Sequence, residues 1–72
     1  MRLSPLKRRE LIRKLRALGF EGPFAGGRHE YVERAAQRIR VPNPHASRDV
    51  GVPILKLIIR QVGVSEEEWH DL

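Results

Sequence analysis

Gly26-Gly27-Arg28-His29 is the segment whose residue types and spacing most suggest chemistry. Two glycines let the backbone approach a bulky anionic ligand, and the imidazole that follows them can take up or release a proton near neutral pH. Beside arginines, such a group could promote attack of an RNA 2′-hydroxyl on the adjacent phosphate, and no metal would be required. The plainer alternative for His29 is a half-buried strand histidine hydrogen-bonded to a neighbour. His45, between Pro44 and Ala46, is a second candidate. It would serve as proton carrier or phosphate contact if its loop folds over the rest of the site, and is otherwise an ordinary solvated residue. His70, near the acidic C-terminal stretch, reads as a surface or interface residue. The three histidines are too dispersed for a local metal motif. With no cysteine, a disulfide framework, a thiolate zinc site and cysteine catalysis are excluded.

The charge is unevenly distributed. Residues 1–40 carry eleven basic and four acidic side chains, whereas residues 41–72 carry three and five, so the net +5 divides into +7 and −2. A polyanion would be drawn to the basic half, because phosphates attract Lys and Arg at long range and release counterions on binding. A merely solvated basic surface is the competing explanation. At 72 residues the chain is expected to form one small domain, residues 1–72, and a large enzyme is excluded. A domain of this size removes only about 60% of its unfolded surface from water, so an oligomer or a binding partner is expected. The longest apolar stretch, Ile54 to Val62, is broken by Lys56 and Arg60, which argues against a membrane span. The N-terminus lacks the apolar segment and cleavage site of a signal peptide. A cytoplasmic location is the expectation.

The elements that must position these residues are legible in outline. Ser4-Pro5 reads as a helix start, with a capping hydroxyl and a proline suited to the first helical position, and Gly19 reads as the end. Between them Leu11, Leu15 and Leu18 form an apolar stripe, with Arg9, Arg13 and Arg16 on the opposite side. Phe20 to Phe24 contains Pro23, so as a strand it is an edge or an irregular one. After a turn at Ala25-Gly26-Gly27, a strand from Arg28 to Arg34 would place His29, Tyr31 and Glu33 on one face and Arg28, Glu30, Val32 and Arg34 on the other. A loop at Ala35-Ala36 leads to a third strand, Gln37 to Val41, with Ile39 and Val41 opposed to Arg38 and Arg40.

Two prolines and several turn residues make a loop from Pro42 through Asp49, and this loop holds His45. A second helix is predicted from Val52-Pro53 to Val62, with Ile54, Leu55, Ile58, Ile59 and Val62 buried, Lys56 and Arg60 exposed, and Gly63 ending it. Ser65 and Glu68 form a capping box for a short third helix carrying Trp69, which is expected to pack on the body of the fold. With so few aromatics in the chain, Phe20, Phe24 and Tyr31 are expected in the core rather than stacked on bases. The predicted fold is α+β, ordered α-β-β-β-α, with a three-stranded antiparallel sheet and a short C-terminal helix.

Taken in order, these features resemble the HicA family of toxins, also described as YcfA-like mRNA interferases, of bacterial type II toxin–antitoxin pairs. The resemblance rests on Leu15-Arg16-Ala17-Leu18-Gly19-Phe20, Gly26-Gly27-Arg28-His29, Ile39-Arg40-Val41-Pro42 followed by His45, and the run from Ile54 through Trp69. It implies a fold similar to the double-stranded RNA-binding domain. It also implies metal-independent cleavage of mRNA by a single histidine, without a cofactor, and a HicB-like antitoxin that covers the site. His29 inherits the catalytic role. Many members carry Gly-Ser-His or Gly-Gly-His, whereas here Arg28 intervenes, and a one-residue shift in a strand reverses the face a side chain occupies. On this resemblance the Gly27 turn brings the backbone to the RNA, Arg38 and Arg40 contact phosphates, Arg28 stabilises developing charge and Lys56 or Arg60 extends the track. Two further readings compete. One is a non-catalytic RNA-binding module of the same fold; the other is an inactive toxin remnant kept as a protein-interaction module.

Overall fold

Alternation along the strands decides which face of the sheet is covered. The computed structural model describes residues 2–44 and 48–72, and its elements are α1 (Arg8–Ala17), β1 (Glu21–Gly26), β2 (His29–Arg34), β3 (Gln37–Val41), α2 (Val52–Val62) and α3 (Glu66–His70). The three strands form one antiparallel sheet in the order β1-β2-β3. In β2 and β3 the pairs Val32↔Ile39 and Glu30↔Val41 alternate with Tyr31↔Arg40 and Glu33↔Arg38. Val32, Ile39 and Val41 are buried, and they join Leu11 and Leu15 of α1, Leu55, Ile58, Ile59 and Val62 of α2 and Trp69 of α3 in one core. All three helices therefore cover one face, and the face bearing Tyr31, Arg38 and Arg40 stays open. The α-β-β-β-α order with a C-terminal helix matches the expectation from the sequence.

Where α1 begins is different. Ser4-Pro5 does not cap it; the helix starts at Arg8, after Lys7. The reason is non-local. Leu6 pairs antiparallel with Val50, through Leu6 N–H to the Val50 carbonyl at 3.1 Å and Val50 N–H to the Leu6 carbonyl at 2.7 Å. This holds Leu6 extended and brings Val50 into the core, so a helix through residue 6 would forfeit both bonds. Asp49, next to Val50, also meets Lys7 at 3.9 Å. The first strand is irregular, as its proline suggests: register is lost between Glu21 and Phe24, across the cis Gly22-Pro23 bond.

The second helix has the predicted bounds, and Gly63 ends it with φ 86°, in the left-handed region that glycine adopts without penalty. Its buried face is narrower than expected, because Ile54 is 44% exposed; Leu57, outside that expected face, is 59% exposed. The core reading fails for two aromatics as well: Phe20 is buried, but Phe24 is 42% exposed and Tyr31 only half-buried. Both of these belong to the open face, where no helix covers them.

Helix α3 is held from both ends. The Ser65 hydroxyl accepts from the Glu68 N–H at 3.0 Å while the Glu68 carboxylate accepts from the Ser65 N–H at 2.9 Å, and these bonds hold the Glu68 carboxyl below the usual carboxylate range. At the other end the Lys14 ammonium donates to the Trp69 carbonyl at 2.8 Å and lies 5.6 Å from the Trp69 ring centroid. Lys14 is buried because it occupies the i+3 position between Leu11 and Leu15, on the edge of the apolar stripe. His70 is half-buried, with Nε2 enclosed and without a hydrogen-bond partner among the described residues.

Lys14→Met keeps the aliphatic stem but leaves the Trp69 carbonyl without its charged donor. Stability should fall by about 1.5–3 kcal/mol, read by urea unfolding followed through the fluorescence of Trp69, the sole tryptophan.

Candidate functional site

His29 is positioned by a two-residue hairpin. Gly26 pairs with His29, so Gly27 and Arg28 form the loop. Gly27 has φ 72° while Arg28 does not enter the left-handed region, the pattern of a type II′ turn with glycine at its first central position. Arg28 is thus a turn residue and His29 the first residue of β2, on the open face with Tyr31 and Glu33.

Two depressions meet at this point. One, of about 680 Å³, runs between the hairpin end of the sheet and α2, and its lining includes Arg28, His29, Arg40, Asn43, Ile54 and Leu57. The other, of about 330 Å³, lies on the open sheet face and is lined by Gly26, His29, Glu30, Tyr31, Arg38 and Arg40. His29 and Arg40 belong to both, so they stand on the ridge between them. The imidazole is exposed and makes no hydrogen bond or ion pair among the described residues, unlike the hydrogen-bonded structural histidine that was its alternative.

The basic residues singled out from the sequence separate into distinct groups. Arg28 and Arg40 are exposed and, among the described residues, have no acidic partner. They place two positive charges beside His29, which favour an anion there, while Asp49 lines the first depression and Glu30 the second. Arg38 is engaged within the sheet face: it donates to Glu33 at 3.1 and 3.2 Å, and its guanidinium lies 4.2 Å from the Tyr31 ring centroid. Lys56 and Arg60 are exposed on α2 but lie round the helix from Ile54, Leu57 and Gln61, outside the lining of the groove. His45 lies outside the described residues.

Other cations have structural duties. Arg34 donates to the Leu18 carbonyl at 2.8 Å and covers the Phe20 ring at 4.5 Å, and Arg8 reaches Glu30 and the Pro42 carbonyl. Arg13 pairs with Glu10, and this hydrogen bond holds the Glu10 carboxyl below its usual range and raises the guanidinium.

Sequence reasoning missed the groove's second wall. Asn43, Asp49 and Gln61 line it together with the exposed apolar pair Ile54 and Leu57. The available signal was the spacing of Ile54, Leu57 and Gln61, at i, i+3 and i+7 on one side of α2, beside the buried stripe and not within it. Among the described residues no group of three or more His, Asp or Glu side chains converges, and no helix is long and apolar enough to cross a membrane.

Comparison with known protein families gives a match over residues 8–64 to the model described as HicA toxin of bacterial toxin–antitoxin systems. Comparison with curated proteins gives no match, nor does comparison with solved structures. The matched span runs from the start of α1 to just past α2 and includes the whole hairpin and both depressions; α3 lies outside it.

The two glycines of the turn act differently. A Cβ on Gly26 would meet Tyr31 ring carbons at 2.8 and 2.9 Å, whereas one on Gly27 would meet nothing within 4 Å but would sit at φ 72°. Gly26→Ala should therefore move the Tyr31 ring, seen by NMR as loss of the contacts between residue 26 and the ring protons. Gly27→Ala should leave the ring in place and lower stability by about 1–2 kcal/mol through backbone strain alone.

Proposed function

Since the chain belongs to the HicA family of toxins of bacterial toxin–antitoxin systems, we propose that it is an endoribonuclease that cuts mRNA at the His29–Arg40 ridge and is neutralised by a HicB-like antitoxin. One observation carries the reading: an exposed imidazole beside the guanidiniums of Arg28 and Arg40, none of the three bonded to another described residue, where two depressions meet. A histidine retained for the fold would be bonded or enclosed. A solvated basic patch would have no reason to gather around an imidazole.

The chemistry is in-line attack within the RNA itself. His29 takes the proton of a 2′-hydroxyl, the 2′-oxygen bonds to the adjacent phosphorus, and the bond from phosphorus to the 5′-oxygen breaks. The leaving 5′-oxygen receives a proton from water and the resulting hydroxide takes the proton held on His29, so the products are a 2′,3′-cyclic phosphate and a 5′-hydroxyl with the imidazole regenerated. Arg28, carried on the turn, stabilises the charge that develops on the phosphoryl oxygens, and Arg40 holds a neighbouring phosphate through its planar fork. Arg38 supports the same strand of RNA from the sheet face. Lys56 and Arg60 meet the RNA only where it leaves the groove over α2, and the Gly27 turn keeps the backbone low beneath the substrate.

With one imidazole on the described walls of the groove, proton transfer to the leaving group is unassisted and turnover is slow. No resident metal or cofactor is required by this scheme. The cytoplasm is where such a protein would meet mRNA, and the antitoxin acts by occupying the groove and shielding Arg28 and Arg40. The element order accords with a fold similar to the double-stranded RNA-binding domain, and one HicA-like domain over residues 1–72 is the corresponding reading of the chain.

The test is incubation of the protein and of His29→Ala with a long mRNA in EDTA, followed by gel analysis of the fragments. The wild type should cleave and the variant should lose at least about 100-fold in rate, the usual contribution of a positioned proton carrier. Equal cleavage by both would move the chemistry away from His29. Absence of cleavage by either, with both retarding RNA on a gel, would replace the nuclease by a binding module.

A further inference from the structure

The open sheet face carries an aromatic surface that the cleavage chemistry does not use. Phe24 and Tyr31 pair across β1 and β2, with ring centroids 5.6 Å apart and planes tilted by 43°. No helix covers them, and the side chains around them are charged. A contiguous aromatic pair left on such a face is informative in a way that a single exposed apolar residue is not. Its shape is specific too. The Tyr31 ring leans along the strand over Gly26, where even a methyl group would collide with it, and so points toward the hairpin end where His29 stands.

We propose that the depression lined by Gly26, His29, Glu30, Tyr31, Arg38 and Arg40, with the Glu30 carboxylate paired to Arg8, is a stacking subsite for one unpaired nucleobase beside the scissile phosphate. This inference rests on the reading of the chain as an RNA-cleaving protein and names the form of RNA it takes. Aromatic rings and guanidinium planes are the two protein surfaces on which unstacked bases pack, and both are present: the Arg38 guanidinium, bonded to Glu33, lies 4.2 Å from the Tyr31 ring centroid. At about 330 Å³ the depression falls within the range of small-ligand clefts. Arg40 supplies the positive charge that the base's own phosphate needs, and it is shared with the catalytic groove. A base packed on this pair would have its own phosphate toward Arg40 and His29, which line the same depression. Duplex RNA could not use the subsite, because its bases are stacked on one another.

The measurement uses the His29→Ala protein, which binds without cutting, and compares Tyr31, Tyr31→Leu and Tyr31→Phe on this background. Affinity for single-stranded RNA and for duplex RNA is read by fluorescence anisotropy over a range of salt. Buried Trp69 reports by its fluorescence that each variant is folded. Tyr31→Leu should weaken single-stranded binding about tenfold, the loss of one stacked base. The salt slope should not change, because no phosphate contact is lost, and duplex binding should hold. Tyr31→Phe should restore the affinity.

Unchanged single-stranded binding in Tyr31→Leu would overturn the subsite, as would an equal loss on both forms of RNA. A variant that keeps its RNA affinity but no longer binds an antitoxin would assign the face to a protein and overturn it equally. In each of these cases RNA binding by the parent survives. If the parent binds neither form of RNA, it is the underlying RNA reading that fails.

Discussion

The rest of the structure depends on a shortage of apolar surface. The sheet has two faces, and the chain supplies enough large apolar side chains to cover one of them. Val32, Ile39 and Val41 alternate onto that face and meet the apolar stripes of α1 and α2, with Trp69 closing one end. Each such side chain contributes roughly 1.5–3 kcal/mol when buried, so the face they share is not exchangeable with the other. The opposite positions must then be residues that tolerate water, and they are Arg38, Arg40, Glu33, Tyr31 and His29. The arrangement that stabilises the fold is also the one that gathers its polar chemistry on a single open surface.

The hairpin converts that division into a site. A two-residue turn fixes the register of β1 against β2 and therefore the face on which His29 emerges. Because Arg28 occupies the turn, the imidazole and one guanidinium share a groove without competing for a strand position. Arg40 arrives from the next strand, opposite Tyr31. The turn, β2 and β3 thus bring together an imidazole and two guanidiniums, none of which is bonded to another described residue. The cations that do hold the fold, Arg8, Arg34 and Lys14, are bonded to carbonyls or carboxylates.

Local rules made much of this visible in the sequence. The α2 boundaries follow from a proline at one end and a glycine at the other, the capping box names the start of α3, and period-two alternation assigns the faces of β2 and β3. What escaped depends on contacts between distant residues. The start of α1 is displaced by the Leu6–Val50 pair, two residues that nothing in the local sequence connects. Lys14 is buried because α3 folds back onto α1 and offers it a carbonyl and a ring. Ile54, Phe24 and Tyr31 were assigned to the core by residue type, yet they stand, with Leu57, outside the face that the helices and sheet share. Those left outside form the groove wall and the aromatic pair.

On the proposed function, RNA meets this molecule on the open sheet face and the adjoining groove, and not on the arginine side of α1. An NMR titration of the His29→Ala protein with a short RNA tests it most directly, by mapping which backbone and side-chain signals shift. Shifts centred on Arg28, Tyr31, Arg38, Arg40 and the groove side of α2 are the predicted result. Shifts centred on Arg9, Arg13 and Arg16, with the sheet face unmoved, would contradict the account.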